Sequence, residues 1–126
     1  MKLYIAAPWA RRKDAAYSAQ VAVALGHTIT HDWWNRECGD EDTAELARLA
    51  DLDFSGVIDA DVFIVLNVEK SEGKAVEQGI ALNQRRFNVQ RRPRLIGVGP
   101  RGTNIFQYMP QWEWVETFND ALALLK

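Results

Sequence analysis

The stretch Val62–Gly79, V-F-I-V-L-N-V-E-K-S-E-G-K-A-V-E-Q-G, leaves this chain few folds to choose from. Val62–Leu66 is an unbroken apolar run, rich in β-branched residues and bounded by Asp61 and Asn67. A strand reads this way when both of its faces are buried, as in a parallel sheet between two helical layers. A polar turn follows, and from Ser71 the spacing turns helical. Gly73, Val76, Gly79, Ile80 and Asn83 are expected on one packed face, at about 100° per residue. Glu77 falls on the rim of that face, in the first turns of the helix. A carboxylate there overlooks the carboxyl end of the strand, where open α/β sheets bind their ligands. The plain alternative is a solvated glutamate favoured by the helix dipole. Gly73 and Gly79 tell against it, because they thin the helix surface and let backbone or ligand come close.

The rest of the chain repeats the strand–helix alternation. Lys2–Ala6 reads as a strand closed ahead of Pro8, and Ala10–Leu25 as a helix with Ala15, Ala19, Val21, Ala22 and Leu25 inward and Gly26 as its stop. His27–His31 reads as strand two, Trp33 to Asp42 as a loop over the site, and Thr43–Ile58 as a helix burying Leu46, Leu49, Ala50, Phe54 and Val57. Leu95–Val98 and Glu113–Val115 complete the strands, and Phe118–Leu125 is a closing helix. Strands alternating with helices give right-handed βαβ units and a parallel sheet. The expected fold is α/β: a single-domain flavodoxin- or Rossmann-like three-layer sandwich over residues 1–126, with a five-stranded parallel sheet in the order 2-1-3-4-5. Its switch point lies between strands one and three, so the loops after Ala7 and Asn67 should adjoin.

Composition excludes several classes of function. A net charge of −2 gives no global attraction to nucleic acid polymers or anionic membranes. No stretch approaches the roughly 18 apolar residues of a membrane span, and M-K-L-Y-I-A-A-P is too short an apolar run for a signal peptide. One cysteine, Cys38, rules out an internal disulfide and fits a reducing compartment, so the expected location is the cytoplasm. Gly97-Val98-Gly99-Pro100-Arg101-Gly102 is formally G-x-G-x-x-G, but it follows strand four, contains a proline and opens no clear long helix. Loop glycines explain it better than a dinucleotide site. Gly73-Lys74 lacks the other residues of a phosphate-binding P-loop. His27, His31 and Cys38 match no zinc spacing, so no metal or other cofactor is expected. A flavodoxin-like electron carrier lacks a strongly acidic surface around a flavin loop.

The acids and one phenol remain. Asp53, near the end of the second helix, reads equally well as ordinary surface. Tyr4 should point to one face of strand one near the switch point, where half-buried core is the simplest account. Trp9, with Trp33 and Trp34, could stack on a planar ligand or serve as rim aromatics.

Together the motifs resemble the nucleoside 2-deoxyribosyltransferase family, including its members that hydrolyse 2-deoxynucleoside 5-monophosphates. L-Y-I-A-A-P-W at Leu3–Trp9 resembles its opening strand, D-F-S-G-V-I-D-A-D-V at Asp53–Val62 its aspartate segment, and S-E-G-K-A-V-E-Q-G at Ser71–Gly79 its nucleophile motif. The resemblance implies that Glu77 attacks or stabilises C1′ of the sugar, that Tyr4 holds Glu77, and that Asp53 binds or protonates the departing base. Asn104, in T-N-I-F, resembles an asparagine lent to a neighbouring subunit, which implies a homodimer or larger homo-oligomer. The position six before the glutamate is commonly acidic in the transferases; here it is Ser71, as in the monophosphate hydrolases. Ser71, the Gly73 amide and the helix N-terminus would then take a 5′-phosphate, with Arg11 or Arg12 adding a bidentate contact. Lys74 departs from the small or apolar residues usual at its position. Transfer to another base and hydrolysis both stay open, as does a non-catalytic nucleotide-binding module on the same fold.

Overall fold

The computed structural model describes residues 1–126. The strands are β1 (Lys2–Ala6), β2 (Thr28–Ile29), β3 (Val62–Leu66), β4 (Arg94–Val98) and β5 (Trp112–Val115). The helices are α1 (Arg12–Ala24), α2 (Thr43–Asp59), α3 (Glu72–Phe87) and α4 (Phe118–Ala123). All five strands run parallel in the order β2-β1-β3-β4-β5, as the alternation predicts. Structure and sequence differ by one or two residues at several element ends, where helices fray and strand pairing lapses. β2 is the most reduced, to two residues, because only Lys2 and Leu3 of β1 pair with it.

Because strand side chains alternate between faces, β1 and β3 feed two cores. Leu3, Ile5, Val62, Ile64 and Leu66 pack with Ile96 and Val98 under α1 and α4. Tyr4, Ala6, Phe63 and Val65 pack with Leu95 and Trp112 under α2 and α3. The second face therefore carries Tyr4 toward the two helices that bear Asp53 and Glu77. Gly56 makes that approach possible: a Cβ there would meet Tyr4 Cδ2 and His31 Cβ, both at 3.1 Å. With only hydrogen, α2 settles onto the ends of β1 and β2, and Asp53 one turn earlier comes with it.

The packed face of α3 is not the one the glycine and valine spacing indicates. Its buried residues are Lys74, Gln78 and Ala81, whereas Val76 is 64% exposed and Asn83 lies outside. The two predicted faces differ because polar residues here pack inward onto polar partners. Asn67, at the end of β3, accepts from Lys74 Nζ (2.7 Å), from Gln107 Nε2 (2.9 Å) and from Thr103 Oγ1 (3.2 Å). It also donates to the carbonyl of Pro100 and to Gln107 Oε1. Lys74 donates further to the Glu69 carbonyl (2.5 Å) and is only 2% exposed. A hydrophobic-periodicity argument has no means of seeing such an inward polar stripe. Similarly, Leu25 of α1 and Phe54 of α2, expected inside, are 60% and 50% exposed.

The G-x-G-x-x-G segment is structural. Gly99 and Gly102 have φ of +97° and +113°, which L side chains rarely adopt. Gly97 lies flat beneath the Trp114 ring, where a Cβ would collide. Gly97→Ala should therefore lower stability by about 1–3 kcal/mol through overpacking, read as a reduced midpoint in chemical denaturation with an unchanged slope. No helix is long and apolar enough to cross a membrane.

Candidate active site

A cleft of ≈ 610 Å³ opens at the carboxyl ends of β1 and β3, lined by Ala7, Trp9, Trp33, Arg36, Asp53 and Phe54 on one side. Ser71, Gly73, Lys74, Val76, Glu77 and Ile80 of α3 line the other. The switch point of the sheet is thus an open site. A second groove, of ≈ 400 Å³, lies on the opposite flank of α3 and holds Gln78, Arg86, Asn104 and Phe106 but no carboxylate.

Three of the sequence candidates converge in the first cleft. Tyr4 is fully buried, not half-buried, and its hydroxyl donates to Glu77 Oε2. Asp53 faces both of them from α2. Burial pushes the Glu77 carboxyl up to about 8, with the Asp53 charge adding to the shift and the Tyr4 hydrogen bond opposing it. Burial also raises Asp53, against the opposing effects of His31 and Tyr4. Tyr4 is held well above the usual phenol range by burial first and then by the two carboxylates, so it stays a donor. Two desolvated carboxyl groups around one phenol resist a second negative charge, so burial and mutual repulsion both favour keeping a proton on the pair. Such an arrangement can present one carboxylate to a developing cation and one acid to a leaving group.

The remaining candidates divide. Ser71 is the N-cap of α3, its Oγ accepting from the Lys74 amide at 3.3 Å while its hydroxyl proton stays free for a ligand. Gly73 follows in the first turn, and nothing within 4 Å occupies the space a Cβ would take. Trp9 lines the cleft, 6.2 Å from Trp33, with the guanidinium carbons of Arg12 and Arg36 at 4.7 and 5.1 Å from its ring centre. Trp33 is fixed by its Nε1 donating to the Ile5 carbonyl at 2.7 Å. Arg11 is not in the cleft; it pairs with Asp14 at 3.4 Å and approaches Glu69 at 4.0 Å. That last contact does join the loops after β1 and β3. Asn104 lies on the far flank of α3, its Nδ2 directed to Gln78 Oε1 at 3.4 Å.

The sequence reading missed His31, Arg36, Lys74 and the apolar wall of Phe54, Val76 and Ile80. His31 carried a usable signal: order 2-1-3 sets the end of β2 beside the end of β1, within reach of a site at the switch point.

Fold and site together define a doubly wound α/β protein with a carboxyl–phenol–carboxyl cluster at its switch point. The structure is similar to that of the Clostridium botulinum CMP N-glycosidase BcmB, with a TM-score of 0.56 at 15% identity, over 99% of this chain and 98% of that one. At that identity the likeness speaks for the fold. No protein-family model matches the sequence, and no curated protein matches it significantly.

Proposed function

We propose that this protein breaks the N-glycosidic bond of a 2-deoxynucleoside or its 5′-monophosphate through Glu77. The observation that carries the reading is the Tyr4–Glu77 hydrogen bond at the floor of an open cleft, with Asp53 facing the pair. Breaking the bond from C1′ to the base nitrogen leaves positive charge on the sugar. Glu77, ionised against that charge, traps C1′ as a covalent ester. Tyr4 fixes the Glu77 rotamer, and Asp53 gives the leaving base its proton. Water, or a second base, then attacks C1′ and frees Glu77. Trp33 and the apolar wall of Phe54 and Ile80 form a slot suited to a planar base, and Trp9 borders it. The structural likeness to BcmB, a CMP N-glycosidase, supports a nucleotide as substrate.

The test is incubation with CMP, dCMP and their purine and uracil counterparts, each with its unphosphorylated nucleoside, followed by chromatography for free base. Release that disappears in Glu77→Ala supports the reading. Binding without release would leave a nucleotide-binding module. Within the same panel, Ser71→Ala should raise KM for the monophosphate about tenfold and leave the nucleoside unaffected, because only the phosphate meets the α3 N-terminus. The location of Asn104 away from its own subunit's cleft supports its service to a second copy in a homodimer. Phe87, Ile105 and Phe106 leave apolar surface there for a partner to cover. Light scattering on the purified protein should return twice the chain mass.

A further inference from the structure

The proposed reaction needs its proton on Asp53 and its charge on Glu77, yet burial favours a protonated Glu77. An unassigned side chain bears on this conflict. His31, just past β2, places its Nε2 3.3 Å from Asp53 Oδ1. Both atoms are buried, and neither makes a hydrogen bond with any group of the protein, so each is left facing the other. The other ring nitrogen, Nδ1, faces outward, 3.9 Å from the carboxylate of Asp32, which is exposed. We propose that His31 is a positioning residue that keeps the shared proton on Asp53, its neutral ring accepting a hydrogen bond from the Asp53 carboxyl at Nε2. The inference rests on the glycosidase reading above.

Which nitrogen of a neutral imidazole carries hydrogen is set by what the other one meets. The Asp32 charge, 3.9 Å from Nδ1 and outside hydrogen-bond distance, favours hydrogen on that nitrogen, and a hydrogen there leaves Nε2 as an acceptor beside Asp53. An acceptor stabilises a carboxyl group in its protonated form, which is the only form that can donate to it; a charged His31 would lower Asp53 instead, so this hold belongs to the neutral ring alone. The groups facing this pair are Tyr4 from β1 and Glu77 from α3, with Arg36 beyond. Tyr4 donates to Glu77, and so stabilises that residue as the carboxylate. Arg36 is directed to Asp40 at 2.7 Å and to the Cys38 carbonyl. Tyr4 favours the carboxylate on Asp53 as well as on Glu77, so the proton stays on the acid only where a further group holds it, and that is the part given to His31. When the bond breaks, the base nitrogen takes both the bonding electron pair and the Asp53 proton. The ring then steadies the new carboxylate only by turning over its own proton with solvent beside Asp32.

The experiment compares two substrates of one sugar phosphate, the natural base and a nitrophenolate, which leaves without a proton. His31→Leu should slow release of the base about 10- to 100-fold in kcat with little change in KM, and slow nitrophenolate release far less. His31→Gln, which can still accept a hydrogen bond, should fall between Leu and the parent. Equal slowing of both substrates by His31→Leu overturns the inference, since it marks a packing role. If the parent releases neither leaving group in a Glu77-dependent way, the glycosidase reading itself fails. Imidazole 15N NMR judges the tautomer without any substrate. The chain has two histidines, so loss of one set of signals in His31→Leu assigns the other to His27. A neutral His31 with its hydrogen on Nδ1 supports the inference, and hydrogen on Nε2 overturns it.

Discussion

Replacing Glu77 by alanine is expected to lower kcat for base release by about four orders of magnitude or more, the scale on which enzymes lose a covalent nucleophile. The expectation follows from where the carboxylate sits. It stands in the first turns of α3, is held by the Tyr4 hydroxyl, and opens onto the cleft. The other carboxylates in the cleft, Asp51 and Asp53, both come from α2 on the opposite wall. A loss of tenfold or less would show that Glu77 does not meet C1′. The same residue should be a thermodynamic burden, which gives an independent check. Its folded-state carboxyl is raised from 4.5 to about 8, so the folded protein keeps a proton that the unfolded chain releases. The contribution of this group to stability is therefore full below pH 4.5 and is lost as pH rises through about 8. Glu77→Gln has no proton to lose. Between pH 8 and 9 it should be more stable than the parent by about 4–5 kcal/mol, with the difference vanishing near pH 4. A dead enzyme that melts higher at alkaline pH separates a lost nucleophile from a lost fold.

The sheet order, the parallel strands and the placement of Glu77 were legible because they follow from signals local in sequence. Val62–Leu66 is apolar on both faces, and Ser71 caps the helix that follows by accepting from the Lys74 amide. The inward stripe of α3 was not legible, because Lys74 and Gln78 are polar residues whose partners, Asn67, Gln107 and Asn104, arrive from up to 29 positions away. Periodicity assigns such residues to solvent, and only the tertiary structure shows that their hydrogen bonds are made indoors. Tyr4 shows the same limit from the other side. Strand alternation says that it faces one layer, but its burial depends on Phe63 stacking 5.9 Å away and on the close approach of α2 at Gly56. His31 escaped for a related reason. A histidine at a strand end is commonplace, and its pairing with Asp53 requires β2, β1 and α2 to be placed together.

Asp53→Ala is expected to slow release of an ordinary base by about 10²–10⁴, the range over which a positioned general acid contributes. The effect should track the leaving group, being largest for the base least able to depart as an anion. Its pH dependence carries the sharper test. Asp53 is raised by burial and Glu77 lies at about 8, so the parent's active form holds one proton between the two carboxyl groups. Taking up a second proton neutralises the nucleophile, and losing the last one, near pH 8, discharges the acid. The parent profile of kcat/KM should therefore be a bell whose alkaline limb falls at about pH 8, the two limbs belonging to the pair and not to either residue. In Asp53→Ala no acid remains to be discharged, and ionised Glu77 is the sole requirement. Activity should then rise with pH to a plateau, with no alkaline fall. The midpoint of that rise should lie below 8, because the Asp53 charge that helps to raise Glu77 is gone. An Asp53→Ala profile that keeps the parent's alkaline limb would assign the acid to another group. A profile with both limbs intact and kcat unchanged would remove Asp53 from the chemistry and leave it a wall of the cleft.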